Sequence, residues 1–305
     1  MATPDVYRRQ VTLLVRTLPF LSEAPALALK GGTAINLFLR DLPRLSIDLD
    51  LTYLPVESRG VSLAGIDTSL REIGRRLRSE LPAAQVLERE LRGEGVVHKL
   101  FVRSGGVQIK LEVTPVLRGC VFEPRRLPVS SIVEDTFGFA EATVVSFEDL
   151  FAGKLVAALD RQHPRDLFDV RELFAHEGLT ERLRRAFIVY LVSHNRPVAE
   201  LLAPRPRAIE AEFRSGFVGM PRVAVSLEDL LAVRDRLVEE AIDSMAEEHR
   251  RFLVSFERGD PDWDALALPG VEALPAVRWK LANLRKLAPD RRARQAEALN
   301  AIWER

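Results

Sequence analysis

The sequence predicts an α+β protein, with a small mixed sheet and flanking helices in its first part and an all-helical second part. Three observations point to this. Strand-like runs recur at 47–53, 84–91, 95–103 and 107–114, interleaved with helical periodicity at 4–19 and 69–81. After Gly178 the strand signals vanish, and only helical periodicity continues, over 181–203, 226–256 and 275–303. The 305 residues, 47% hydrophobic and 29% charged, are enough for two domains of a soluble globular protein. The division predicted is residues 1–177 and 178–305.

Each element has its own reason. Val6, Val11, Leu14, Val15 and Leu18 share one helical face. Leu27-Ala28-Leu29-Lys30 leads into Gly31-Gly32, and Thr33 to Leu39 reads as a short helix. In Ile47-Asp48-Leu49-Asp50-Leu51 the apolar positions alternate with carboxylates, so a strand buries one set and aims both acids to the other side. Leu70, Ile73, Leu77 and Leu81 make an amphipathic helix studded with arginines. Ser104-Gly105-Gly106 separates the last two strand runs as a hairpin turn, which predicts antiparallel pairing. Ser146-Phe147-Glu148-Asp149 has the form of a capping box and starts a helix through Asp160 that carries Lys154. Pro164 interrupts, and a further helix spans about 165–177. In the second part Pro197, Pro204, Pro206, Pro221 and Pro261 break the helical pattern, and Ser226-Leu227-Glu228-Asp229 is an independent cap.

Composition narrows the function classes. Lys plus Arg and Asp plus Glu both total 44, so net charge is zero and any attraction to nucleic acid must be local. The single cysteine, Cys120, excludes an internal disulfide framework. Together with the polar start at Met1 and no transmembrane run, it predicts a cytoplasmic protein without a membrane partner. The five histidines, His98, His163, His176, His194 and His249, show no zinc spacing.

The chemistry-bearing residues fall into two groups. Gly31-Gly32-Thr33 at a helix start suits a triphosphate, because glycine admits close approach and first-turn N–H groups lack intrahelical partners. Asp48 and Asp50 on one strand face supply two oxygen ligands that call for a cation. Glu112, on the same face as Gln108 and Lys110 of its strand, is either a third carboxylate or half of a surface pair with Lys110. Arg40 and Arg44 flank the loop as phosphate partners or plain surface charges. In the second group, Lys154 sits among Leu150, Phe151, Leu155 and Val156, where a charge needs a reason: a phosphate, or a stem that snorkels to solvent. Asp166 and Asp169 share a helix face and either pair with Lys154 or Arg161 or position the base and sugar of a nucleotide.

Taken together, Lys30-Gly31-Gly32-Thr33-Ala34, Arg44-x-Ser46-x-Asp48-Leu49-Asp50-Leu51, Lys110-Leu111-Glu112-Val113 and Lys154-x-x-Ala157-x-x-x-Arg161-x-x-x-Arg165-Asp166-x-x-Asp169 resemble the AbiEii/AbiGii nucleotidyltransferase-like toxins, which include the mycobacterial MenT toxins. The resemblance extends through Phe217-x-Gly219-Met220 and Pro275-Ala276-x-x-Trp279-Lys280-Leu281-x-Asn283-Leu284. It implies a fold of the DNA polymerase β nucleotidyltransferase superfamily with a helical C-terminal domain. Fifteen residues, 33–47, separate the glycine pair from the Asp-x-Asp element, longer than that superfamily's usual gap.

Residue by residue, the resemblance implies phosphate and nucleotide binding by Lys30, Gly31, Gly32 and Thr33, with Ser46 beside the metal. Asp48 and Asp50 are the implied Mg²⁺ (or Mn²⁺) ligands and Glu112 the third carboxylate. Lys154 and Asp166 are implied at the nucleotide, and Asp169 as a later active-site acid. The expected activity is transfer of a nucleotide from an NTP to an acceptor hydroxyl, with the 3′ end of tRNA or another RNA as acceptor and a cognate antitoxin as partner. The competing expectations are a small-molecule or protein acceptor, and a non-catalytic nucleotide-binding protein. Arg278, Lys280, Arg285, Lys286, Arg291, Arg292 and Arg294, against only Asp290 and with Trp279 among them, form the candidate basic surface for RNA.

Overall fold

Alternation in the first part of the chain becomes a seven-stranded mixed sheet in the structure, a computed structural model that describes residues 4–304. The polar start read at Met1 lies outside the described residues. By compactness the chain divides into Met1–Ser146 and Phe147–Arg305. That division falls directly after the last strand, whereas the one read from the sequence falls where Gly178 closes a helix.

In the first unit, α1 (Pro4–Ser22) precedes β1 (Leu27–Lys30), which runs straight into α2 (Gly31–Ala34) and a π-helical turn, Ile35–Leu39. There follow β2 (Asp48–Tyr53), α3 (Arg59–Glu80), β3 (Gln85–Leu91), β4 (Val96–Ser104), β5 (Val107–Val113), β6 (Arg125–Pro128), α4 (Ser131–Phe137) and β7 (Glu141–Val144). The strand order is β3-β4-β5-β2-β1-β7-β6. Pairing is parallel for β2 with β5 and for β1 with β7, and antiparallel elsewhere. The expected β4–β5 hairpin turns at Gly105-Gly106.

Leu49, Leu51, Leu111 and Val113 are at most 1% exposed, on the sheet face that α1 and α3 cover. Their neighbours Asp48, Asp50, Lys110 and Glu112 therefore project from the opposite face. This one alternation separates core from site.

Four elements of this unit differ from expectation. The helix read at 69–81 begins ten residues earlier, at Arg59. Its added turns bury Ser62, Leu63 and Ile66, and a Cβ on Gly65 would strike the Tyr53 hydroxyl, so that glycine serves close packing inside a helix. Strands β6 and β7 were not expected, because four residues are too few for a period to register, and the end position, Arg125 and Pro128 mark β6 as an edge. Helix α4 buries only Val133 and leaves no stripe to read.

The second unit is helical throughout its described residues: α5 (Phe147–Arg161), α6 (Pro164–His176), α7 (Glu181–Val192), α8 (Val198–Leu202), α9 (Glu210–Gly216), α10 (Leu227–Val238), α11 (Glu247–Arg258), α12 (Trp263–Leu266), α13 (Pro275–Arg285) and α14 (Pro289–Asn300), with a π turn at Glu239–Asp243 and a 3-10 turn at Val271–Ala273. Pro164 stands at N1 of α6, where its missing N–H costs nothing. The cap read at Ser226 is a full capping box with Asp229. Phe151 and Phe187 are fully buried, as are Phe252 and Phe256, which stack against Trp263 with centroids 5.4 and 6.3 Å away.

Candidate active site

The site in the first unit is built where β1 ends. Gly31 has φ +77°, in the left-handed region, and a Cβ there would lie 2.7 Å from Asp50 Oδ2. The Asp50 carboxylate thus rests against the bare Cα of the turn. Behind the second glycine the obstacle differs: a Cβ on Gly32 would sit 2.5 Å from Arg44 Nη2 and 3.2 Å from Ser46 Oγ.

Arg44, only 2% exposed, is neither a surface charge nor in an open phosphate position. It backs the glycine turn and donates from Nη1 to Leu45 O (2.9 Å). Asn36, fully buried in the π turn, ties both sides together. Its Nδ2 donates to Gly32 O (2.6 Å) and its Oδ1 accepts from Arg44 N (3.3 Å).

Thr33 Oγ1 donates to the Asp48 carbonyl and lies 2.9 Å from Ser46 Oγ. A hydroxyl has one proton, so Thr33 spends it on the carbonyl and Ser46 is the donor to Thr33. Tyr7 Oη in turn accepts from Ser46 N (3.2 Å). The glycine helix and the start of β2 are therefore hydrogen-bonded into one piece, with Ser46 two residues from Asp48.

Sheet register sets out the charges. Lys30 faces Asp50, Asp50 faces Glu112, and Glu112 faces Lys99, across β1, β2, β5 and β4. One row below, Asp48 faces Lys110. Lys110 Nζ lies 3.0 Å from Glu112 Oε2 and 3.6 Å from Asp48 Oδ2, and Lys99 Nζ is 3.1 Å from Glu112 Oε1.

Three lysines thus compensate three carboxylates. Burial would raise the Glu112 carboxyl, but hydrogen bonds from Lys110 and Lys99 outweigh it and hold Glu112 below the usual range. Burial likewise opposes the charge on Lys110, yet Glu112 and Asp48 carry it above its ordinary value. For Lys30 desolvation wins over Asp50 and Glu112, and its ammonium is pulled down. Glu112 pairs with Lys110 and stands in register beside Asp50.

The donor set suits a hard cation. Asp48, with its side chain 48% exposed, and Asp50 offer carboxylate oxygens two residues apart on one strand face. Among the described residues no group of three or more His, Cys, Asp or Glu is arranged to hold a metal by itself. Two carboxylates completed by water and substrate phosphates are the usual protein share of a Mg²⁺ or Mn²⁺ shell, so these residues fit one.

The second group assembles inside the second unit. Lys154, 8% exposed, does not snorkel: its Nζ lies 3.0 Å from Asp166 Oδ1 and 2.9 Å from Asp169 Oδ2, both acids at most 2% exposed. Arg161 closes on the far side of Asp166 with two bonds, at 2.6 and 3.0 Å. Burial alone would raise the Asp166 carboxyl, but Lys154 and Arg161 hold it well below the carboxylate range. His163 caps α6, its Nδ1 accepting from Arg165 N at 3.1 Å. Burial lowers that imidazole's pKa, which favours the neutral form the cap requires.

Of the basic surface read at 278–294, Lys280 is 6% exposed and donates to the Arg196 carbonyl (2.6 Å), while Arg285 donates to the Gly259 carbonyl (2.9 Å). Both side chains are spent on backbone carbonyls, that of Arg196 in the loop before α8 and that of Gly259 at the end of α11. Tyr7, Asn36, Lys99 and the His163 cap were missed in the sequence. Lys99 alone had a readable signal: counting back from the Gly105-Gly106 turn pairs it with Glu112.

Residues 12–283 match the family described as nucleotidyl transferase AbiEii toxin, type IV toxin–antitoxin system. No curated protein matches the chain. Among solved structures, MenT4, a nucleotidyltransferase toxin from Mycobacterium tuberculosis H37Rv, is similar in fold, with a TM-score of 0.59 and 17% identity over 91% of this chain and 93% of that one.

Proposed function

This chain belongs to the AbiEii family of nucleotidyltransferase toxins of type IV toxin–antitoxin systems, and from that premise we propose that it transfers a nucleoside monophosphate from an NTP to the 3′ end of tRNA. The observation that carries the reading is the contact of Asp50 with the Gly31 turn. It joins a helix start suited to phosphate and two metal-ready carboxylates in one piece of structure.

In this reading the glycine turn receives the triphosphate on its backbone N–H groups, and Lys30, Thr33 and Ser46 keep the turn and β2 in register. Asp48 and Asp50 would hold the divalent ion, Mg²⁺ or Mn²⁺. When bound, the ion supplies positive charge that offsets the negative charge building on the phosphate oxygens. The acceptor oxygen attacks the α-phosphorus in line, the bond to the β-phosphate oxygen breaks, and pyrophosphate leaves. Lysine pairing keeps Glu112 ionised, the form that accepts the hydroxyl proton. As the incoming phosphates draw Lys110 toward themselves, Glu112 becomes a stronger base. Lys154, Asp166 and Asp169, buried and paired inside the second unit, act there as one charged unit that fastens α5 to α6. The protein acts in the cytoplasm, where NTP and tRNA meet, with a cognate antitoxin as partner. In the structure, no helix of the described residues is long and apolar enough to cross a membrane.

The test is incubation with α-labelled NTP, a divalent ion and total tRNA. Label moves to tRNA with the wild type and falls by about 10³-fold or more with Asp48→Ala. Label found only on small molecules or on protein would replace the acceptor, and full activity of Asp48→Ala would remove the carboxylates from the chemistry.

A further inference from the structure

A groove of about 830 Å³ lies within the second unit, between the end of α5, α8, the segment that follows α8, and α14. Its chemistry is set by that segment, Pro204-Arg205-Pro206-Arg207. Gln162, 1% exposed and with φ +51°, reaches across and binds the segment twice: its Nε2 donates to Arg205 O (2.9 Å) and its Oε1 accepts from Arg207 N (3.0 Å). A buried amide thus replaces a neighbouring strand, and two prolines stiffen the backbone further. Arg205 and Arg207 both stand on this pinned segment, two residues apart.

Both arginines are exposed, and among the described residues neither has a carboxylate partner. The two acids of the groove, Asp160 and Glu200, are both engaged by Arg196. On the opposite wall Ala298 comes from α14 and Ile302 from the turn after it, and one and two turns back from Ala298 on the same stripe stand Arg294 and Arg291, exposed and, among the described residues, also without carboxylate partners. Positive charge therefore predominates, on a pinned segment and on a helix.

We propose that this groove is a docking site for an RNA phosphate backbone, which holds the body of the acceptor while its 3′ end reacts. The inference rests on the RNA acceptor proposed above. Planar guanidinium forks suit phosphate oxygens, and pinning the segment reduces the ordering that binding requires. A polynucleotide is held mainly through backbone charge, and a chain of zero net charge must gather that charge locally.

The experiment is tRNA binding by fluorescence anisotropy over a salt series, using the full chain, Arg205→Ala/Arg207→Ala, and wild type with poly-glutamate as competitor. NTP binding is measured in parallel. The double variant is expected to bind tRNA about tenfold more weakly, with the log–log salt slope reduced by about 1.5 and NTP binding unchanged. Unchanged tRNA affinity and slope in the variant would overturn the groove and leave the RNA acceptor standing. Wild type that binds NTP but no tRNA would overturn both. Displacement of tRNA by poly-glutamate at equal charge would assign the groove to an acidic protein instead.

Discussion

Gly31 is constrained twice, by its left-handed φ and by the carboxylate of Asp50 packed on its Cα, and either constraint alone resists a side chain. Gly31→Ala is expected to cost about 1–3 kcal/mol through backbone strain, and more if Asp50 shifts. In a unit of this size that lowers Tm by about 2–4 °C per kcal/mol, and NTP affinity falls with it. An alanine variant with wild-type melting and NTP binding would mean that the turn is free to rearrange. Lys110 poses a different question, since its ammonium sits where positive charge is wanted by Asp48 and Glu112. In the proposed function, a site already compensated by Lys30, Lys99 and Lys110 attracts a lone cation poorly and gains it together with the nucleotide. Lys110→Met should therefore tighten Mn²⁺ binding without nucleotide by about tenfold, a value discounted for the half-exposed Asp48, as read by paramagnetic resonance of free Mn²⁺. Equal affinity in the two proteins would show that Lys110 does not compete for that position.

At the scale of elements, the pair α5 and α6 is fastened by charge in a place where apolar packing would be the usual choice. Asp166 has a folded-state pKa depressed below its unfolded value near 4, so its contribution is present above about pH 4 and is lost as pH falls toward the folded value. Asp166→Asn is expected to destabilise the protein at pH 7 by on the order of 3 kcal/mol, since Lys154 keeps Asp169 but loses half its compensation. Chemical denaturation of both proteins from pH 7 to pH 3 should show that gap narrowing only below about pH 4. A gap constant across the range would mean that the carboxylate is not ionised in the folded state. These elements also show what a sequence discloses. The alternation at 47–51 and 107–113 was legible because one face is a core and the other is not, and the helix pair around Pro164 was legible from its proline and its stripe. Strands β6 and β7 were not, because strands of four residues derive their conformation from the neighbours they pair with. Arg44 was misjudged for a related reason: nothing local tells a surface arginine from one buried behind a glycine.

For the whole molecule, equal totals of acidic and basic residues mean that long-range attraction cannot deliver a polynucleotide, and capture depends on a few placed arginines. With four phosphate contacts, from Arg205, Arg207, Arg291 and Arg294, the logarithm of tRNA affinity should fall with the logarithm of salt at a slope of about −3. A fourfold rise in salt then raises KM for tRNA by roughly 60-fold. In the proposed function the chemistry belongs to the acidic row and the glycine turn acting on a bound complex. At saturating tRNA, kcat should therefore stay within about twofold across the same range, because exposed contacts are screened far more than those in a desolvated site. Steady-state transfer of label to tRNA, measured at several salt concentrations with NTP saturating throughout, separates the two quantities. A KM that ignores salt would mean that the acceptor is held by apolar or base-edge contacts, whereas a kcat that collapses with salt would mean that the same exposed arginines also serve the reacting phosphates.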